Sequence, residues 1–209
     1  MMPREMKRIA IFLLSVLVIL QLVACKKSEN KEEELTKAEE ASQEEQAFDI
    51  PKDYYPVTIK TGDSEVVVKK MPEKAIVFNY DIAEMLSALG LADKIYAFKG
   101  GHQSLDAILP EYKEALKNLK ETEMLGGDGF PTLENMLNLE PDLVIMPSYY
   151  FNVDVFGKKE DYAKHNIPVY VTEGTYIPNC TIENTYNDLM NIGKIFNKEK
   201  EASDRKSTV

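Results

Sequence analysis

The chain has 209 residues, with 25 Lys and Arg against 35 Asp and Glu, two His, two Cys and no Trp, a length that allows one or two domains. A hydrophobic content of 44% with 29% charged residues suits a globular chain rather than a fibre or a polytopic membrane protein, and a net charge of −10 argues against nucleic acid, whose phosphates demand a basic surface. Two Cys cannot build a disulfide framework and two His cannot supply a three-histidine metal site, so no cofactor or resident metal is expected.

Arg4, Lys7 and Arg8 precede an apolar run at residues 9–20, and Leu22, Val23, Ala24 and Cys25 close it. A run this short fits a signal-peptide core better than a spanning helix, which needs about 20 residues; the alternative is an uncleaved anchor with an incidental Cys25. The tetrad Leu-Val-Ala-Cys resembles the bacterial lipobox, which implies cleavage before Cys25 and lipidation of its thiol. Residues 1–24 are therefore expected to be a lipoprotein signal peptide. Their removal takes away Arg4, Lys7, Arg8 and Glu5 and leaves the remainder near −12. Membrane attachment then rests on the lipid, and firm anchoring needs two acyl chains or more. Residues 26–49 hold nine acids, four lysines and one aromatic residue, Phe48. Such a segment buries too little apolar surface to offset chain entropy, and residues 25–50 read as a disordered acidic tether with some helical propensity, or else as an acidic interaction tail.

From residue 51 the pattern changes to short apolar strands alternating with helices. Residues 57–60 and 65–69 flank Thr61-Gly62-Asp63-Ser64 and predict a hairpin. Residues 75–79 predict a strand, and Asp81 caps a helix to about Leu89 that ends at Gly90. Residues 94–98 read as a second strand, 105–119 as a helix interrupted at Pro110, and 122–125 as a third strand. Thr132 caps a helix to about Leu139; residues 142–146 form a strand introduced by Pro141. Residues 159–165 are helical, and a fifth strand at 169–172 follows Pro168. From Thr181 a long helix carries a stripe of Ile182, Tyr186, Leu189, Ile192 and Phe196, widened by Met190 and Ile195; its end is expected to fray beyond about Phe196. This alternation predicts an α/β fold, a parallel sheet flanked by helices on both faces.

Ligands on such sheets bind beyond the carboxyl ends of the strands. That rule selects Asn79, Tyr80 and Asp81; Lys99, Gly101 and His102; Asp128 within residues 126–129; Ser148, Tyr149 and Tyr150; and Glu173 and Tyr176 as candidate ligand-binding residues. Tyrosine offers an apolar face and a hydroxyl, which suits a medium-sized ligand, although each tyrosine here could equally pack the fold. His102 is either a ligand or metal contact or a surface residue. The Gly126-Gly127-Asp128-Gly129 turn lacks the spacing of a dinucleotide site. Cys180 reads as a small buried thiol, and His165 as a residue ending its helix, where the helix terminus favours its charged form.

Four segments together resemble the substrate-binding lipoproteins of iron–siderophore, haem and cobalamin ABC importers. They are MPEKAIV at 71–77, IAEMLSALGLADKIY at 82–96, PTLENMLNLEPDLVI at 131–145, and 181–196 with its NIGKIF ending. The resemblance implies that residues 51–180 form the N-terminal lobe of a bilobal binding protein and that 181–209 begin its interlobe helix, with the second lobe missing from a truncated sequence. It also implies that Glu134 docks on an arginine of the ABC permease, that the ligand is a ferric siderophore or similar chelate, and that the protein works at the extracytoplasmic face of the cell membrane and is not an enzyme. The alternatives are a lipid-anchored α/β enzyme, for which no nucleophile elbow, His-Glu-x-x-His pair or phosphate loop is present in the sequence, and a receptor for haem, cobalamin or a free metal ion.

Overall fold

A computed structural model describes residues 50–101, 104–119, 122, 125 and 130–208. The expected signal peptide, Cys25, the tether to Asp49, His102 and the Gly126–Asp128–Gly129 turn lie outside the described residues.

The hairpin forms as expected. Strands β1 (Val57–Thr61) and β2 (Ser64–Val68) pair antiparallel across a two-residue turn in which Gly62 has φ +64°, a conformation glycine adopts without a Cβ penalty. Alternation buries Val57, Ile59, Val66 and Val68 on one face.

The main sheet has four parallel strands, β3 (Ala75–Phe78), β4 (Ile95–Lys99), β5 (Leu143–Met146) and β6 (Val169–Val171), in the order β4-β3-β5-β6. Residues of β3, β5 and β6 are buried on both faces, which explains their unbroken apolar runs. Ile76, Phe78, Val144, Met146, Val169 and Val171 face one side. There they meet Met136 of helix α3 (Leu133–Asn138) and Tyr162 of α4 (Lys159–Lys164), whose hydroxyl donates to the Phe156 carbonyl at 2.8 Å. The alternate residues turn to the opposite side, where α1 (Tyr80–Ala88) buries Ile82, Ala83 and Leu86. Helix α5 (Ile182–Ile195) covers that same side, and Tyr170 reaches Asp188 on it.

Of the expected strand at 122–125 the described residues, Thr122 and Leu125, both lie outside any strand. Thr122 instead closes the open edge of β4. Its N–H donates to the Phe98 carbonyl at 2.9 Å, and its Oγ1 accepts from the Phe98 N–H at 3.0 Å. Thr61 does the same for the other edge, accepting from the Val171 N–H at 3.0 Å and donating to the Val171 carbonyl at 3.1 Å. Single threonines therefore satisfy backbone groups that a further strand would otherwise pair.

Other boundaries moved for local reasons. The cap position of α1 is Asn79, and Asp81 sits in the first turn with its carboxylate on the Ile82 N–H. Pro110 starts α2 (Pro110–Leu116) rather than interrupting a longer helix, after a separate 3-10 turn at Leu105–Ala107; proline is suited to the first helical turn, where its missing N–H costs nothing.

The last helix does not fray beyond Phe196 but folds back. Asn197 takes φ +55°, and α6 (Glu199–Thr208) follows. Gly193 makes the close crossing possible, because a Cβ there would lie 2.8 Å from the Ala202 Cβ. The Arg205 guanidinium donates to the Tyr112 hydroxyl at 2.8 Å, and Lys206 pairs with Glu183 at 3.2 Å. Leu189, Ile192, Ile195 and Phe196 of the expected stripe are buried, but Ile182 is 61% exposed. Cys180, expected to be buried, is exposed, since it precedes α5 outside its packed face. No helix among the described residues is long and apolar enough to cross a membrane.

The Thr61 hydroxyl gives a direct test. In Thr61→Val a buried N–H and carbonyl of Val171 lose their partner while volume is kept, a loss of about 1–3 kcal/mol. Urea denaturation should show the unfolding free energy fall by that amount, through a lower midpoint with an unchanged slope.

Candidate functional site

From β3 the chain moves to β4 on one side and then returns to β5 on the other. Loops leaving the carboxyl ends of β3 and β5 must therefore diverge, and the crevice between them is where an open α/β sheet accommodates a ligand. Asn79 stands at that point, immediately after β3. It is 6% exposed, with φ +69° and ψ 148°, a backbone region costly for any residue with a Cβ. Its N–H donates to the Lys99 carbonyl at 2.7 Å, which extends the β3–β4 ladder by one residue.

The Asn79 side chain joins the loops after β3 and β5. Its Nδ2 donates to the Tyr149 hydroxyl, and its Oδ1 accepts from the Tyr150 hydroxyl at 3.0 Å. Both tyrosines lie on the 3-10 turn Ser148–Asn152 after β5. Gly101, after β4, completes the group with φ +67°. A Cβ there would lie 2.6 Å from Asn79 Oδ1, so this position admits only glycine without displacing Asn79. Tyr150 is buried, with its ring 4.8 Å from those of Phe78 and Phe156. Tyr149 is 47% exposed, and Phe130 beside Phe156 is 63% exposed. The crevice thus offers aromatic faces and a hydroxyl. Because Tyr149 accepts from Asn79, its own proton remains to be donated elsewhere.

The structure brings Asn79, Gly101, Tyr149 and Tyr150 together and gives the other candidates different surroundings. Tyr80 packs its ring against Phe98, 4.8 Å between centroids. Asp81 caps its neighbour's N–H. Lys99 is half-buried at the end of β4. Ser148 ties two loops together, its N–H donating to Thr175 Oγ1 at 2.8 Å and its hydroxyl to the Thr175 carbonyl at 2.6 Å. Glu173 accepts from the side-chain amides of Asn184 and Asn187 on α5. Tyr176 lies against Gly62 of the hairpin.

A groove of about 1330 Å³ also runs between the hairpin and the α4–β6 side of the sheet, lined in part by Val67, Lys69, Asp142, Lys159 and His165. Lys159 crosses it to the Thr61 carbonyl and the Ser64 hydroxyl. It extends along the strands and reaches Ser148 and Tyr176 after β5 and β6, but not Asn79, Tyr149 or Tyr150. Glu134 is exposed in the first turn of α3, behind a capping box made by Thr132 and Asn135. Among the described residues, no group of three or more His, Cys, Asp and Glu side chains could hold a metal ion.

Sequence reasoning overlooked Asp188. It is 2% exposed on α5, and Oδ1 accepts from the Tyr170 hydroxyl at 2.6 Å and the Glu173 N–H at 2.7 Å. The signal was an acid within the apolar face of its helix, beside Leu189 and four residues before Ile192. Burial raises its pKa to about 6, against the stabilising hydrogen bonds from Tyr170 and the Glu173 and Gly174 N–H groups, and the nearby Glu173 charge adds to the rise. An unfolded Asp ionises near pH 4, so between about pH 4 and pH 6 the folded state holds one more proton than the unfolded. Stability should therefore fall as pH rises through that window, by up to about 3 kcal/mol. Chemical denaturation of Asp188→Asn at several pH values should show that this part of the slope has gone.

A family model described as periplasmic binding protein matches residues 76–208. Among solved structures, a periplasmic binding protein from Veillonella parvula aligns at 25% identity and TM-score 0.62, covering 72% of this chain and 48% of its own. An ABC-type Fe3+-hydroxamate transport system from Saccharomonospora viridis aligns at 21% identity and TM-score 0.55, covering 72% and 51%. Staphylococcus aureus SirA complexed with staphyloferrin B aligns at 21% identity and TM-score 0.51, covering 73% and 46%. The chain spans about half the length of these structures. No curated protein matches the chain.

Proposed function

The chain belongs to the periplasmic binding protein family, and from that premise we propose that it captures an iron chelate of the siderophore type for an ABC importer. The crevice carries the reading: in a chain of this family, Asn79, Gly101, Tyr149 and Tyr150 converge at the carboxyl ends of the strands where the strand order reverses. Its aromatic faces and the remaining proton of the Tyr149 hydroxyl suit a ligand with both apolar surface and acceptor oxygens. The site binds and releases; no bond is made or broken there. Supporting context comes from the Saccharomonospora viridis and Staphylococcus aureus structures, which concern a ferric hydroxamate transport system and a siderophore complex. Haem, cobalamin and free metal ions are the competing ligands.

In calorimetric titrations of the whole chain with ferric desferrioxamine B, a ferric catecholate and haemin, at least one of the two ferric chelates should bind saturably, and binding of haemin alone would overturn the siderophore reading. Tyr149→Ala should weaken chelate binding tenfold or more, while Val67→Ala, on the exposed face of the hairpin, should leave it within twofold. Failure of all three probes to bind, or equal loss in both variants, would overturn the reading.

The delivery half of the function rests on Cys25 and Glu134. Cys25 is the lipid attachment point and residues 25–50 the tether that holds the binding unit off the extracytoplasmic face of the membrane; Glu134, exposed at the start of α3, is the permease contact. Mass spectrometry of membrane-extracted protein should find a diacylglyceryl Cys25 at the mature N-terminus, and Cys25→Ala should remain uncleaved or leave the membrane. A native N-terminus still bearing Met1 would refute lipidation.

A further inference from the structure

A buried carboxylate is costly unless it is paired with a cation or fully hydrogen-bonded. Asp188 has no cationic partner among the described residues; neutral donors surround it. Besides the Tyr170 hydroxyl and the Glu173 N–H, Oδ2 accepts from the Gly174 N–H at 3.4 Å. Asn191 donates to the Tyr170 oxygen at 3.0 Å, which leaves the tyrosine proton for Asp188. One helix side chain thus gathers the end of β6 and both leading N–H groups of the 3-10 turn Glu173–Thr175.

The connection continues toward the crevice. Thr175, the last residue of that turn, receives both the N–H and the hydroxyl of Ser148. Ser148 begins the turn that carries Tyr149 and Tyr150, and these meet Asn79. Every link from α5 to Asn79 is a hydrogen bond between side chain and backbone, between two side chains, or a covalent step of one or two residues. Nothing in the sequence alone joins Asp188 to Tyr149, 39 positions apart.

We propose that Asp188 is a positioning residue of the crevice: it ties the turn after β6 to helix α5 and, through Thr175 and Ser148, holds the Tyr149–Tyr150 platform against Asn79. The functional meaning of this rests on the crevice being the capture site, but the test reads the protein itself and needs no ligand. Failure of the chelate titrations with the exchange pattern below intact would therefore overturn the capture reading alone.

Backbone amide hydrogen exchange, followed residue by residue by NMR on the whole chain, distinguishes the links. Asp188→Ala should speed exchange at Glu173 and Ser148 by tenfold or more while Val77 and Ile145, in the sheet centre, stay within twofold. Asp188→Asn keeps an Oδ1 acceptor for Tyr170 and Glu173, so both amides should remain within about threefold of wild type. Thr175→Val removes the Oγ1 acceptor of the Ser148 N–H, together with that hydroxyl's own bond to the Thr172 carbonyl, and should expose Ser148 while leaving Glu173 and Gly174 protected. If Asp188→Ala does not fold, the last two variants still decide. Protection of Ser148 unchanged in Thr175→Val or in a folded Asp188→Ala, or Asp188→Asn opening Ser148 tenfold, would overturn the proposal.

Discussion

The reversal of strand order around β3 is the constraint on which the rest depends. With β4 on one side and β5 on the other, the two loops leaving β3 and β5 cannot follow one another, and a crevice opens between them. Asn79 spans it with a single side chain that donates to one tyrosine and accepts from the next. Its left-handed backbone aims the amide into the crevice while its N–H stays on the β3–β4 ladder. The strain is held in place because a ladder bond, two hydroxyls and the absent side chain of Gly101 all require the same geometry.

The sheet is small, and its stability depends on how its margins are closed. Both faces are covered by helices, as a parallel sheet requires. Both edges are closed by threonine hydroxyls, Thr61 at β6 and Thr122 at β4. The hairpin is therefore more than an N-terminal ornament: it brings Thr61 to an edge strand of three residues. On the opposite face α5 covers the sheet, and α6 packs on α5 through a close crossing that relies on Gly193 and Ala202.

Asp188 shows how the same helix serves packing and site together. An apolar residue there would be a simpler way to fill the face. The carboxylate instead collects three donors from β6 and the following turn, and burial makes its charged form expensive. Such a cost persists in a fold where the geometry it enforces has a use.

The sequence by itself determined the alternation of strands and helices, because burial on both faces demands unbroken apolar runs such as Leu143–Met146 and because capping chemistry is local, as Thr132 and Asn135 show. It also determined that Asn79, Gly101, Tyr149 and Tyr150 lie just past strand ends. Local pattern could not give the strand order, and so could not separate those four from Tyr80, Asp81, Glu173 and Tyr176, which share their position relative to strands but turn to packing or to α5. It could not find the reversal at Asn197, since the polar residues that follow carry no apolar stripe to show where the chain turns, and only the crossing of Gly193 with Ala202 rewards the reversal. Nor could it show that Thr122 would close the edge of β4 from outside any strand, or that Asp188 would reach the turn after β6. Those outcomes depend on contacts between residues far apart in the chain, whose energies exist only once the sheet has assembled.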